Sequence, residues 1–140
     1  AIDRLGQLRI EQGAYLWRDL LDEGVLVTSG TDSPVEPVNP IANFYAAVTR
    51  KTLKGEPETG FEPAQKLTRM EALYAMTLAA AYAAFEEQDK GSIEVGKLAD
   101  LTVLNQDLIT VPEAEILNTD VLLTIVGGEV AYQRDESAFP

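Results

Sequence analysis

The chain has 140 residues, 46% hydrophobic and 24% charged, and its 23 acidic residues against 11 basic ones leave a formal net charge of −12. Such acidity argues against nucleic acid and against anionic membrane surfaces as partners, since both repel it, and reads as a solubility feature. Cysteine and histidine are both absent, which removes disulfides, thiolate metal sites, the commonest metal ligand and the commonest general base from these residues.

No membrane span is expected, because the most apolar run, around residues 78–85, is short and alanine-rich. Length alone allows one domain or pieces of two. The chain starts at Ala1 without a signal-like segment, so the expectation is a processed piece or a portion of something longer, in a cytoplasmic setting.

Taken in order, residues 3–23 carry Leu5, Leu8, Ile10, Tyr15, Leu16, Leu20 and Leu21 at helical spacing between charged residues. Gly6 and Gly13 weaken that helix and mark where it splits in two. Gly24 suits the left-handed position just past a helix end. Val25, Leu26, Val27 and Thr28 then favour a buried strand over residues 25–29, broken at Gly30. Pro34 holds Ser33 out of the helical region. Asp32 emerges just beyond the strand, and the carboxyl end of a strand is where α/β enzymes place their chemistry. The plainer reading of Asp32 is a turn carboxylate that accepts backbone amides.

Pro34, Pro37 and Pro40 exclude regular structure before Asn39-Pro40 starts a helix, which is predicted to run to about residue 49 or 51 and to bury Ile41, Phe44, Tyr45 and Val48. Residues 52–64 read as a loop. Thr68-Arg69-Met70-Glu71 is a capping box, and the helix behind it is predicted to reach about residue 87. Its apolar stripe is a core face and needs no cofactor to explain it. From Gly91 onward the pattern turns to strands, at residues 92–94 and 98–104. A second capping-box pattern, Thr110-Val111-Pro112-Glu113, opens a short helix to about residue 117. Residues 121–126 and 129–134 flank Gly127-Gly128, a strong two-residue hairpin signal. The tail 135–140 is expected to be loose.

This is an α/β pattern whose first part, to about residue 90, offers one strand and whose second part offers about four. One strand makes no sheet and four leave open edges. The folded object is therefore expected to include polypeptide outside these 140 residues.

The runs Ser29-Gly30-Thr31-Asp32-Ser33-Pro34-Val35, Asn39-Pro40-Ile41, Ala46-Ala47-Val48-Thr49-Arg50, Leu67-Thr68-Arg69-Met70-Glu71-Ala72-Leu73 and Thr124-Ile125-Val126-Gly127-Gly128 together resemble the C-terminal portion of the metal-dependent amidohydrolases. The most specific piece is Gly91-Ser92-Ile93-Glu94-Val95-Gly96-Lys97-Leu98-Ala99-Asp100. Among these enzymes the chain is most similar to the subgroup of N-substituted formamide deformylase. The resemblance covers nearly the whole chain.

The resemblance implies the C-terminal part of a distorted (β/α)8 barrel over residues 1–90, with 25–29 as its last strand. It implies part of a composite β-sandwich over 91–140. It implies that Asp32 binds a divalent metal, zinc by preference, and shuttles a proton during hydrolysis of a non-peptide amide bond. The remainder of the parent polypeptide and a small-molecule amide are the implied partners, and a homo-oligomer stays open. The other metal ligands of such enzymes have no counterpart here, and a catalytic zinc wants about three protein ligands. By itself the chain is expected to lack hydrolase activity.

Two rival readings stay open. One is a non-catalytic, degenerate or split module that assembles with a partner chain, supported by the lack of histidine. The other is a small independent α/β domain that uses Asp32 with a second acid such as Glu36. Ser29, Thr31 and Ser33 are candidates to orient Asp32. Asp100 is read as a structural hydrogen-bonding group, Arg50 as half of a structural ion pair, and Trp17 as packing.

Overall fold

The computed structural model describes residues 2–134; the tail 135–140, expected to be loose, lies outside the described residues. The N-terminal helical stretch divides twice rather than once. Helix α1 (Ile2–Leu5) stops at Gly6, which takes φ 76°. Helix α2 (Gln7–Gly13) stops before Tyr15, whose φ of 61° no helix accommodates. Helix α3 (Trp17–Asp22) ends as its glycine predicts. Gly24 takes φ 76°, its amide reaches the Leu21 carbonyl at 2.9 Å, and the Val25 amide reaches Leu20 at 2.9 Å. That is the paired closure which a left-handed residue past the helix end makes possible.

Residues 25–29 form no strand. A β-strand exists only through a paired neighbour, and among the described residues the sheet consists of strands from residues 101–133 alone. The expected strand is thus an unpaired segment, anchored where the Ser29 amide donates to the Ala75 carbonyl at 3.0 Å.

Helix α4 (Pro40–Thr49) starts where Asn39 and Pro40 dictate, with the Asn39 side chain accepting from the Ile41 amide at 2.9 Å. Its buried face is Ile41, Phe44, Tyr45 and Thr49; Val48 is half-buried instead. Thr49 tolerates full burial because its hydroxyl donates to the Tyr45 carbonyl at 2.8 Å. Helix α5 (Arg69–Met76) carries the predicted capping box, made in both directions between Thr68 and Glu71. It does not continue to residue 87. Thr77 leaves helical geometry at φ −121° and ψ −95°, while its hydroxyl bonds the Leu73 carbonyl at 2.7 Å. Helix α6 (Leu78–Ala83) resumes and ends at residue 83. Gly91 then lies against α6, where a Cβ would come within 2.9 Å of the Leu78 Cα.

Residues 92–94 are not a strand; they run as irregular chain ahead of the turn at residues 95–96. The sheet has three antiparallel strands in chain order, β1 (Leu101–Leu104), β2 (Val121–Val126) and β3 (Glu129–Gln133). Gly127 and Gly128 form the predicted hairpin turn, both at positive φ. Between β1 and β2 lies a 3-10 helix, Glu113–Asn118, without a side-chain cap. The second capping box fails because the Thr110 hydroxyl donates instead to Asp107 at 2.9 Å.

The core joins Ile41, Phe44 and Tyr45 of α4 to Leu67 and Ala72, and draws in Leu108 and Ile116 from the β1–β2 connection. Residues from both sides of Gly91 therefore share one cluster. Among the described residues no helix is long and apolar enough to cross a membrane.

Candidate functional site

Asp32 stands in the turn between the unpaired segment and α4, exposed to solvent and at φ 53°. Aspartate is one of the few residues that enter the left-handed region readily, because its short polar chain bonds locally. The turn closes when the Val35 amide donates to the Asp32 carbonyl at 2.8 Å. Its backbone therefore fixes where the carboxylate leaves the chain.

What holds the turn is the anchor three residues upstream. Besides its amide bond to Ala75, Ser29 accepts a hydrogen bond on Oγ from the Asn43 side chain at 2.8 Å. One contact ties the segment to the end of α5 and the other to the middle of α4. Sequence reasoning missed Asn43, since a polar residue beside the apolar stripe of a helix gives no sign of what it faces. Ser29, Thr31 and Ser33 were the sequence candidates to orient Asp32. Among the described residues no hydrogen bond links their side chains to it.

Glu36 shares the exposed loop with Asp32. Among the described residues, no group of three or more histidine, cysteine, aspartate or glutamate side chains is arranged to hold a metal ion. The donors present supply one carboxylate at this place, and that falls short of the three protein ligands a catalytic zinc wants.

The other singled-out residues have found partners of their own. The Asp100 carboxylate accepts from the Gly127 amide at 2.7 Å and so braces the β2–β3 hairpin, the structural role expected of it. Trp17 is 38% exposed and meets Tyr15 edge-on, with ring centroids 6.2 Å apart, so it is a surface aromatic and not a core one. Arg50 departs from expectation. Among the described residues it makes no ion pair, and its Nε donates to the Phe61 carbonyl at 2.9 Å while the guanidinium lies over the Phe61 ring. Burial pushes its pKa down.

A second electrostatic feature is a clamp between α3 and α5. Glu71 serves the capping box and also pairs with Arg18 of α3. The Arg18 guanidinium, together with the Thr68 hydroxyl and amide, holds the Glu71 carboxyl down at about 2. Gln65 adds to the clamp, taking the Arg18 amide at 3.0 Å and donating to Asp19 at 2.9 Å. These contacts fix α3, and hence the start of the unpaired segment, against the first turn of α5.

The chain is 37% identical over 120 residues to the N-substituted formamide deformylase of Arthrobacter pascens, a match covering 86% of this chain and 22% of that protein. It is 31% identical over 133 residues to YtcJ of Bacillus subtilis (strain 168), an amidohydrolase by its description, with 95% of this chain and 25% of the other covered. It therefore spans about a quarter of the length of these relatives. The crystal structure of an amidohydrolase from Thermotoga maritima MSB8 superposes with a TM-score of 0.62 over 86% of this chain and 26% of that one. At 23% identity, that likeness speaks for the fold alone. The model of the amidohydrolase family matches residues 1–132, nearly the whole length. The chain belongs to the amidohydrolase family.

Proposed function

We propose that these residues are the C-terminal part of an enzyme that hydrolyses a non-peptide carbon–nitrogen bond, such as that of an N-acyl or N-formyl amide, with Asp32 in its active site. The observation that carries this reading is the placement of Asp32. It is a solvent-facing carboxylate on a fixed turn, just beyond an unpaired segment that lies between helix α3 and helix α4. Membership of the family supports it.

In this reading residues 1–90 are the C-terminal end of a (β/α)8 barrel, in which residues 25–29 would pair as the last strand once the rest of the barrel is present, and β1–β3 belong to part of a composite sandwich over residues 91–140. The remainder of the parent polypeptide is the partner that completes both. Val25, Leu26, Val35 and Val38, all exposed, are the surface it would cover. Asp32 is one ligand of a divalent metal, by preference zinc, whose other ligands lie outside these residues. When bound, such a metal polarises the amide carbonyl and acidifies water. The Asp32 carboxylate accepts the proton of the attacking water and returns it to the leaving nitrogen, which is the work of a general base turned general acid.

The test is Asp32→Asn in the full-length protein, assayed on an N-formyl amide. General acid–base groups contribute about 10²–10⁴-fold, so turnover is expected to fall by at least two orders of magnitude while the fold is retained. Near-normal turnover would overturn the assignment.

A further inference from the structure

Helix α4 holds both ends of the loop that carries Asp32. At the outgoing end the Asn39 side chain accepts from the Ile41 amide at 2.9 Å and starts the helix. At the incoming end the Asn43 side chain donates to Ser29 Oγ at 2.8 Å. Asn39 and Asn43 lie one turn of α4 apart. Residues 30–38 thus form a loop closed at its base by a single helical turn, with Asp32 near the incoming end.

The two asparagines do different work. Asn39 serves the helix as its cap. Asparagine inside a helix is a poor helix former, and with the cap already supplied, what Asn43 contributes lies outside the helix that carries it. Its backbone is nevertheless fixed, because the next two residues, Phe44 and Tyr45, are buried in the core. The donor therefore stands on a rigid base and meets Ser29 where both residues are half-buried.

Ser29 depends on that contact for its orientation. Its amide donates to the Ala75 carbonyl at 3.0 Å. One bond alone leaves a residue free to turn about it, whereas a second bond from a different atom fixes its direction. Gly30 follows at once, and glycine is the most permissive link in a backbone. The course of the chain into the Asp32 turn is thus set by how Ser29 is held.

We infer that Asn43 is a positioning residue for the proposed amide hydrolysis, which rests on the assignment of Asp32 to the active site. By holding Ser29 Oγ it fixes the direction from which the chain passes through Gly30 and Thr31, and so sets where the Asp32 carboxylate stands. Among the described residues no hydrogen bond joins Asn43 to Asp32, so its effect passes through Ser29. A displacement of about 1 Å at a reacting group can cost about 10²-fold in rate, and losing one of the two bonds to Ser29 should cost part of that.

The test uses the full-length protein and an N-formyl amide. Asn43→Leu removes the donor and Ser29→Ala the acceptor. Each is expected to lower kcat about tenfold with KM unchanged, the mark of an interaction that matters in the transition state. The double variant should lose no more than either single one, as two halves of one contact do. Hydrogen exchange at the Val35 amide, which closes the Asp32 turn, should speed up in each variant. If both single variants keep kcat within about twofold while Asp32→Asn abolishes turnover, the inference falls and the assignment of Asp32 stands. Losses that multiply in the double variant, or unchanged exchange at Val35, overturn it equally. Near-normal turnover of Asp32→Asn overturns that assignment and the inference with it. Should Asn43→Leu fail to fold, Ser29→Ala, which keeps the amide bond to Ala75, still decides.

Discussion

In the layer formed by α4, α5 and the 3-10 helix at residues 113–118, Phe44, Ala72 and Ile116 are wholly buried. Along residues 25–38, by contrast, residues of the same apolar kind stand in water, with Val35 73% and Val38 77% exposed. Both stretches belong to one chain and obey the same drive to remove apolar surface from water. The difference lies in what each needs. A helix satisfies its own backbone and asks its neighbours only for a face, whereas a strand asks for a neighbour's backbone as well as its side chains. The layer can complete itself within these residues, and the segment cannot. Membership of a family whose matched relatives are about four times as long fits that division.

Truncation sharpens the contrast most. Phe44→Ala removes a fully buried ring and is expected to cost about 3–5 kcal/mol, while Val38→Ala should stay within about 0.5 kcal/mol; denaturant unfolding measures both. If the two costs came out alike, the contrast between the regions would collapse. Gly91→Ala comes next. Its φ of 93° and the Leu78 Cα 2.9 Å from any added Cβ leave the methyl group nowhere to go, so a loss of about 1–3 kcal/mol is expected.

A smaller effect follows from Glu71. Its carboxyl titrates well below the ordinary range in the folded chain, so its contribution is fully present above about pH 4.5 and is lost as pH falls toward about 2. Because a third of its side chain is open to solvent, the share attributable to the pair is only about 1 kcal/mol. Glu71→Gln should flatten the acid limb of the stability–pH curve over that window. An unchanged acid limb would show that α3 is not held by this clamp.

The parts that were legible in the sequence are those where chemistry acts over three or four residues. Asn39-Pro40, Thr68 with Glu71, Gly24 and the Gly127-Gly128 turn each carry their structural instruction in their own covalent geometry. The failures share a physical cause, which is competition from a partner that spacing does not reveal. Thr110 had the right offset from Glu113 but found Asp107 first. Thr77 looked like one more position on a long helix, yet its backbone leaves helical geometry there, at φ −121° and ψ −95°. Residues 25–29 had the composition of a strand, and among the described residues no strand lies paired with them. At the candidate site the position of Asp32 past the segment was readable. The Asn43 contact with Ser29 was not, because it depends on which surfaces fold together.

The sideways anchor of Ser29 has a kinetic consequence. Among the described residues its amide is bonded to Ala75, while the amides of residues 26–28 bond to no backbone carbonyl. Within this stretch one proton is therefore tied to the opening of the α5 end, and its neighbours exchange with solvent without waiting for any such event. The segment just ahead of the Asp32 turn is thus pinned at its two ends, by Val25 and by Ser29, with unprotected amides between them.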